Sequence, residues 1–391
     1  MTTRPTPSSP PTRAATNVLE VPVPLARQGY TISIGPGVLA RLGTVAKAHG
    51  AQGRLPLITD TAVWRAWGKR AQAVATAAGL TVDPLVLDPG ESSKSFRGLE
   101  RVLTHLLEGG PLDRHTPVVA FGGGVIGDLA GLAAALALRG VPYLQVPTTL
   151  LAMVDSAIGG KTAIDAPAGK NLIGAFYQPV HVLADLSLLT TLPARQWRAG
   201  YAEIIKYGLL GDAAFFDWCE AHGAALLAGD TTAVAEAVAT SCRHKARITV
   251  ADETERSGLR ATLNLGHTFA HAYETALGYD DTLLHGEAVA IGMVDAFALS
   301  ARLGLIGADA GTRLAAHVAA VGLPTQRPAD PRLRDHDRLI NLMGADKKAV
   351  GGQLRFVLAR AIGEAFLTGA IDRADVRAVL DARAPSPHPT P

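Results

Sequence analysis

The sequence predicts an α/β domain with a largely parallel sheet, followed by an all-helical domain. Two textures carry this prediction. From Leu19 to about Asp185, short β-branched runs alternate with alanine-rich helical stretches, the pattern of a parallel sheet covered on both faces. After Leu186 helical periodicity continues with few strand signals, which places the boundary near Asp185–Pro193.

In chain order, Tyr30–Ile34 reads as a strand ending at the turn Gly35-Pro36-Gly37, and Leu55–Thr59 as a strand ending at Asp60. Trp64–Ala78 reads as a helix and Thr81–Leu87 as a strand. Pro117–Phe121 is a short buried strand that runs into Gly122-Gly123-Gly124 and an apolar helix. Tyr143–Val146 is a further strand, followed by Pro147-Thr148-Thr149. In the second part Arg195–Leu209, Ala213–Leu227, Ala233–Ala251, Asn264–Ala276 and Gly286–Arg302 suit helices, and Leu354–Leu358 a late strand. No internal repeat is visible. The ends, 1–18 and 384–391, read as disordered tails, the first rich in Pro, Ser and Thr and without the apolar core of a secretory signal.

Composition narrows the function. Of 391 residues, 48% are hydrophobic and 18% charged, which is a globular balance. Lys+Arg of 37 against Asp+Glu of 35 leaves a net charge of +2, too small for a nucleic-acid partner held by phosphate neutralisation. Two cysteines, Cys219 and Cys242, exclude a disulfide scaffold and fit a cytoplasmic protein. The longest apolar run, Leu129 to Leu138, has ten residues, whereas a bilayer needs about 20. A membrane partner is therefore not expected.

Gly122, Gly124 and Gly127 satisfy G-x-G-x-x-G between a strand and a helix, where small residues admit a pyrophosphate to the helix N-terminus. A ligand-free tight turn is the alternative. The usual dinucleotide fold places an acid on the ribose about 20 residues later. Here no Asp or Glu occurs between Asp128 and Asp155, so an earlier strand end, at Asp60 or Glu91, is expected to hold the ribose. Thr148 and Thr149 offer hydroxyls to a cofactor, or simply make a turn.

Glu203, His267, His271 and His285 fall in the helical half. His267 and His271 are spaced i, i+4, one turn apart on one helix face. A carboxylate with two imidazoles and an open position suits catalytic zinc, although each histidine could instead be merely hydrogen-bonded. Lys161 and Lys170 flank Gly-rich turns beside Asp155 and Asn171, while Glu203 and Lys206 share a helix face at i, i+3. Together with Arg260, these lysines would suit a substrate carrying phosphate and carboxylate. The bland reading of Glu203–Lys206 is a routine helix ion pair of about 0.2–0.5 kcal/mol.

Taken together, these segments resemble the 3-dehydroquinate synthase family of sugar-phosphate cyclases. The resemblance rests on Phe121-Gly-Gly-Gly-Val-Ile-Gly-Asp-Leu-Ala-Gly131, Val146-Pro-Thr-Thr-Leu-Leu151 and the stretch Asp155 to Gln178. It continues through Glu203-Ile-Ile-Lys-Tyr-Gly208, Leu263-Asn-Leu-Gly-His-Thr268 and His285-Gly-Glu-Ala-Val289, covering roughly Val21 to Gly369. It implies a Rossmann-like NAD-binding α/β domain over 19–185, an all-α metal and substrate domain over 186–383, and a homodimer. The implied reaction converts 3-deoxy-D-arabino-heptulosonate 7-phosphate to 3-dehydroquinate and phosphate, with NAD oxidised and reduced within one turnover.

By the same resemblance, Glu203, His267 and His285 hold zinc or cobalt. NAD meets Asp60, Glu91, Lys94, the loop Gly124, Val125, Ile126, Gly127 and Asp128, then Thr148, Thr149, Lys161, Lys170 and the segment Leu188, Leu189, Thr190 and Thr191. The sugar phosphate meets Asp155, Lys161, Asn171, Lys206, Lys245, Arg260, Asn264, His271 and one of Lys347 and Lys348, with Lys348 preferred. Arg139 reaches the phosphate of the neighbouring subunit. The chain departs from the family pattern at Pro89-Gly90-Glu91, where Asp-Gly-Glu is usual, and in longer stretches at Asp252–Arg260 and Ala272–Leu284. Two alternatives stay open: a related cyclase, such as an aminodehydroquinate synthase, and a metal-dependent polyol dehydrogenase. The intact Gly159-Gly160-Lys161 argues against sedoheptulose-phosphate cyclases.

Overall fold

A computed structural model of the chain describes residues 18–167, 169–345, 354–369 and 371–385. Most of both expected tails, and Lys347 and Lys348, lie outside the described residues.

The first half alternates as its sequence predicts. β1 (Leu19–Val23) pairs antiparallel with β2 (Tyr30–Gly35). α1 (Leu42–Ala48) then leads to β3 (Arg54–Asp60), α2 (Thr61–Ala77) to β4 (Thr81–Leu87), α3 (Phe96–Glu108) to β5 (Val118–Gly122), and α4 (Gly124–Leu136) to β6 (Tyr143–Pro147). The order across the seven-stranded sheet is β1-β2-β9-β6-β5-β3-β4, where β9 is His181–Asp185, and all neighbours but β1 and β2 run parallel. β5 and β6 are buried along their whole length, as sheet-centre strands covered on both faces must be. One face packs Ala71 and Ala75 of α2; the other packs Leu99, Val102 and Leu106 of α3 and Ile126, Leu129 and Ala133 of α4.

Before β9 the chain makes a hairpin of β7 (Lys161–Ala166) and β8 (Gly169–Phe176). Its small and polar residues carry no strand alternation. The hairpin is held by burial of Ile164 against α4 and a hydrogen bond, 3.0 Å, from the Thr162 hydroxyl to the Ala175 carbonyl.

The second half is helical: α5 (Ala194–Gly211), α6 (Ala213–Leu227), α7 (Thr231–Ala251), α8 (His267–Ala276), α9 (His285–Arg302), α10 (Ala308–Ala320), α11 (His336–Ala345) and α12 (Arg373–Ala382). Its one described hairpin, β10 (Phe356–Ala361) with β11 (Glu364–Thr368), extends the strand expected at Leu354–Leu358. The helix expected from Asn264 starts at His267 instead. A 3-10 turn over Leu259–Asn264 comes first, and Gly266, at φ 81°, redirects the chain into α8. α5 is the central helix, buried without a break from Ala199 to Leu210. One apolar cluster runs from Val21, Ile32 and Ile34 of β1 and β2 into α5, α7, α8 and α9, so the helices are built directly on the sheet edge.

Candidate active site

β3 and β5 are neighbours, but their connections leave toward opposite sides of the sheet, so a crevice opens at their carboxyl ends. Asp60 ends β3 and caps α2, its Oδ1 accepting from the Ala62 and Val63 amides at 2.8 and 2.9 Å. Gly122 to Gly124 end β5, and Gly124, Val125, Ile126 and Gly127 form the first turn of α4. Asp60 thus ends the strand that pairs with the one leading into these glycines, Thr59 lying opposite Phe121. Asp128, next on α4, takes a 2.6 Å hydrogen bond from Lys94. After β6, Thr149 caps the next turn by accepting from the Ala152 amide at 3.1 Å, whereas the buried Thr148 hydroxyl has no hydrogen-bond partner among the described residues. Leu188 and Leu189 are buried, and Thr191 accepts from the Trp67 indole at 3.0 Å. The carboxylate of Glu91, two residues after Pro89, lies 3.6 Å from Lys170.

Facing this crevice, α5, α8 and α9 bring three ligand atoms together. The carboxylate of Glu203 and one ring nitrogen each of His267 and His285 all lie within 4.8 Å of one another. Glu203 Oε1 is 3.4 Å from His267 Nε2 and 3.6 Å from His285 Nε2, and among the described residues it is buried without a hydrogen-bond partner. Each histidine is oriented through its other nitrogen. His267 Nδ1 donates to the Leu265 carbonyl at 3.1 Å, and His285 Nδ1 lies 3.1 Å from Glu274 Oε2. Burial pushes His267 down to about 4, which leaves Nε2 a free lone pair. Burial also lowers His285, but Glu274 and Glu203 outweigh it and push the ring up to about 10. The pocket therefore calls for positive charge. An orphaned carboxylate oxygen and two oriented imidazoles fit a divalent ion with an open coordination position.

Beside this group lies a cluster of buried cations. Lys206 Nζ is 2.5 Å from Glu203 Oε2 and 3.9 Å from Asp155 Oδ1. Lys245 donates to the Asp155 carbonyl and to its Oδ1 at 2.6 and 2.7 Å. Asp155 sits on the π-helical turn Ala152–Ser156, where its burial is outweighed by Lys245 and Lys206, which hold the carboxyl well below its usual range. The Glu203–Lys206 pair is thus the expected i, i+3 pair, placed where no water screens it.

Arg260 is buried, donating to the Gly159 carbonyl at 2.6 Å and the Glu253 carbonyl at 2.8 Å. The positive φ of Gly159 and Gly160, 93° and 63°, suits glycine alone, and a Cβ on Gly159 would collide with that guanidinium. The pair is intact because the arginine occupies the space.

Lys161 is half exposed and pairs with Glu255 at 2.7 Å. Asn171 lies exposed on the hairpin at φ 56°, its amide donating to Asp165. The Asn264 amide donates to the Ala261 carbonyl at 3.0 Å. His271 stacks near His285, ring centroids 6.2 Å apart. Arg139 is exposed just beyond α4 and, with Leu138, has positive φ. Two acids beside the site are absent from the sequence reading. Glu274 follows His267 and His271 at i+7 and i+3, a readable helix-face signal. Glu255 belongs to an acidic run, Asp252 to Glu255, that looks like a solvated loop.

Two family models, 3-dehydroquinate synthase N-terminal and 3-dehydroquinate synthase C-terminal, match residues 84–199 and 200–349. Sequences named 3-dehydroquinate synthase from Caulobacter vibrioides and Ruegeria pomeroyi are each 52% identical, over 92% of this chain and 97% of theirs. The chain belongs to the 3-dehydroquinate synthase family. Among solved structures, a 2-epi-5-epi-valiolone synthase from Streptomyces hygroscopicus with NAD+ and Zn2+ bound matches with a TM-score of 0.83 at 30% identity, covering 92% of this chain and 98% of that one. A 2-deoxy-scyllo-inosose synthase complexed with carbaglucose-6-phosphate, NAD+ and Co2+ shares the fold with a TM-score of 0.82 at 24% identity, covering 93% and 100%. Among the described residues of this 3-dehydroquinate synthase family member, no helix is long and apolar enough to cross a membrane.

Proposed function

We propose that the chain is a 3-dehydroquinate synthase, a carbon–oxygen lyase that converts 3-deoxy-D-arabino-heptulosonate 7-phosphate to 3-dehydroquinate and phosphate. One observation carries this reading: a Glu203–His267–His285 ligand group, beside the buried Lys206, is linked to the nucleotide half through Lys170, whose Nζ lies 3.6 Å from Glu91 and 3.8 Å from Glu274. NAD+ fits the crevice at the ends of β3 and β5, and zinc or cobalt the ligand group. The division of labour is a nucleotide unit over 19–185 and a metal and substrate unit over 186–383.

When bound, the dinucleotide supplies a reversible hydride acceptor and the divalent ion a Lewis acid for a substrate hydroxyl. The chain's own residues bind and orient. Lys161, Lys245, Arg260, Asn171, Asn264 and Lys348 hold the anionic ends of the sugar phosphate, and Arg139 comes from a neighbouring copy. Asp155 fixes the Lys245 ammonium in place at 2.7 Å, so the charge needs no reorganisation during reaction. Lys206 keeps Glu203 ionised for the metal, and His271 stands beside the reacting carbons as a hydrogen-bonding or proton-transfer group. The departing phosphate itself takes the C–H proton, which agrees with an anion-binding wall that carries cations rather than a free carboxylate base.

The homodimer belongs to the same proposal. Phe96 and Leu107 of α3 and Leu136 at the end of α4 are 61%, 52% and 52% exposed, and the exposed Arg139 follows three residues after Leu136. A second copy covering these side chains would carry its Arg139 toward the first.

Purified protein with NAD+, zinc and the heptulosonate phosphate should release inorganic phosphate while absorbance of the reduced cofactor stays flat. Stoichiometric NADH would instead favour the polyol dehydrogenase, and phosphate release only from other sugar phosphates would favour a sister cyclase.

A further inference from the structure

We propose that Glu274 is a positioning residue for the metal site, holding His285 by its Nδ1 so that Nε2 points at the ion. The inference rests on the reading that Glu203, His267 and His285 bind a divalent metal. Glu274 is on α8, one turn past His271, and is buried to 4% exposure. Its Oε2 lies 3.1 Å from His285 Nδ1, and its Oε1 lies 3.8 Å from Lys170 Nζ.

The arrangement has direction. His285 opens α9, where no neighbouring turn precedes it to fix its rotamer, and its side chain is 34% exposed. An imidazole in that position could turn either nitrogen inward. With Nδ1–H donating to a carboxylate, one ring orientation remains, and Nε2 faces Glu203 Oε1 at 3.6 Å, where a bound ion would take the place of its proton. His267 needs no such carboxylate, because the Leu265 carbonyl performs that task. Lys170 also reaches Glu91 at 3.6 Å and lies over the Tyr279 ring, 4.5 Å from the centroid. The residue that orients the metal ligand is thereby anchored to the wall of the nucleotide crevice.

His271, Glu274 and His285 could alternatively hold a second ion, since their ligand atoms also gather within 4.8 Å. That arrangement would use His285 Nδ1 and would break its contact with Glu274, so the two readings exclude each other.

The test is zinc binding by the full chain in competition with a chromophoric chelator, without nucleotide or substrate, alongside the visible spectrum of the cobalt-loaded protein. Glu274→Met keeps the volume and removes the acceptor; Glu274→Gln keeps an acceptor and removes the charge. The expected result is one zinc per wild-type chain, a loss of about 10–100-fold in affinity for E274M, and a smaller loss for E274Q. The cobalt band should shift in both variants. If E274M does not fold, E274Q decides by the same two readouts. Wild-type affinity and an unmoved cobalt band in the folded variants would overturn the proposal. So would two zinc ions per wild-type chain falling to one in either variant, which would make Glu274 a ligand. A wild-type chain that binds no zinc removes the functional reading as well, whereas wild-type binding with indifferent variants removes this inference alone.

Discussion

Lys161 and Glu255 meet at 2.7 Å, an ion pair in which the lysine side chain is half exposed. Glu255 takes up positive φ, 58°, to make that contact. Its carboxylate occupies the place where an incoming anion would meet the ammonium. Glu255→Gln should therefore lower KM for the sugar phosphate without lowering kcat. An unchanged or higher KM in steady-state assays would mean that the loop acid does not compete with substrate.

The buried Glu203–Lys206 pair makes a different prediction. Truncating one partner strands the other charge in a site that excludes water, a loss of about 3–5 kcal/mol. Lys206→Met should show that loss in urea unfolding of the apo protein. The double variant E203Q/K206M, with no stranded charge, should unfold closer to wild type; additive losses would refute the coupling.

Metal removal should act on stability as well as on turnover. Chelation leaves Glu203 Oε1 buried, 3.4 and 3.6 Å from the two imidazoles and with no hydrogen-bond partner among the described residues. Returning zinc at 100 times its Kd should stabilise the fold by about 2.7 kcal/mol, seen as a higher Tm together with restored phosphate release. Recovery of activity by magnesium alone would contradict the nitrogen-rich ligand set.

Acid sensitivity should report on the loop that holds Arg260. Asp252 accepts from the amides of Arg256, Ser257 and Arg260 at 2.8, 3.1 and 3.1 Å. Burial would raise its carboxyl, but those donors outweigh it and hold it at about 2. Because the folded value lies below the unfolded one, its contribution is full above about pH 4. It declines as pH falls toward 2. Asp252→Asn should flatten the fall of Tm across that window, and an identical slope in both proteins would count against the assignment.

Arg139 is best tested by mixing. R139A and K245A should each be inactive alone, yet activity should return once the two are unfolded and refolded together. A hybrid dimer would have one site with its own Lys245 and the other copy's intact Arg139. No recovery would place Arg139 in its own subunit's chemistry or outside the site.

Sequence alone reads the strongly patterned elements well. Thr81–Leu87 and Ala213–Leu227 have the same bounds in the structure, because β-branched alternation and an Asp cap mark them locally. The helix Phe96–Glu108 is not among the expectations although Leu99, Val102 and Leu106 form its apolar stripe, and the β7–β8 hairpin offers no local pattern at all. The same division holds at the site. Two histidines one helical turn apart are visible at once, and long motifs bring Glu203 and His285 beside them. Glu274 and Glu255 become visible only when tertiary contacts show whose charge each one meets. Arg260 is expected among the substrate cations, but nothing in the sequence shows that its guanidinium packs into the notch left by Gly159.

The helices rest on β1 and β2 through Val21, Ile32 and Ile34, and this limits how the polypeptide can be divided. A fragment beginning near residue 186 would lose the floor on which it sits and present a broad greasy face to its own copies. Only a transplant that carries the first two strands along with the helices would keep that floor, so gene shuffling must move both ends of the chain as one cassette.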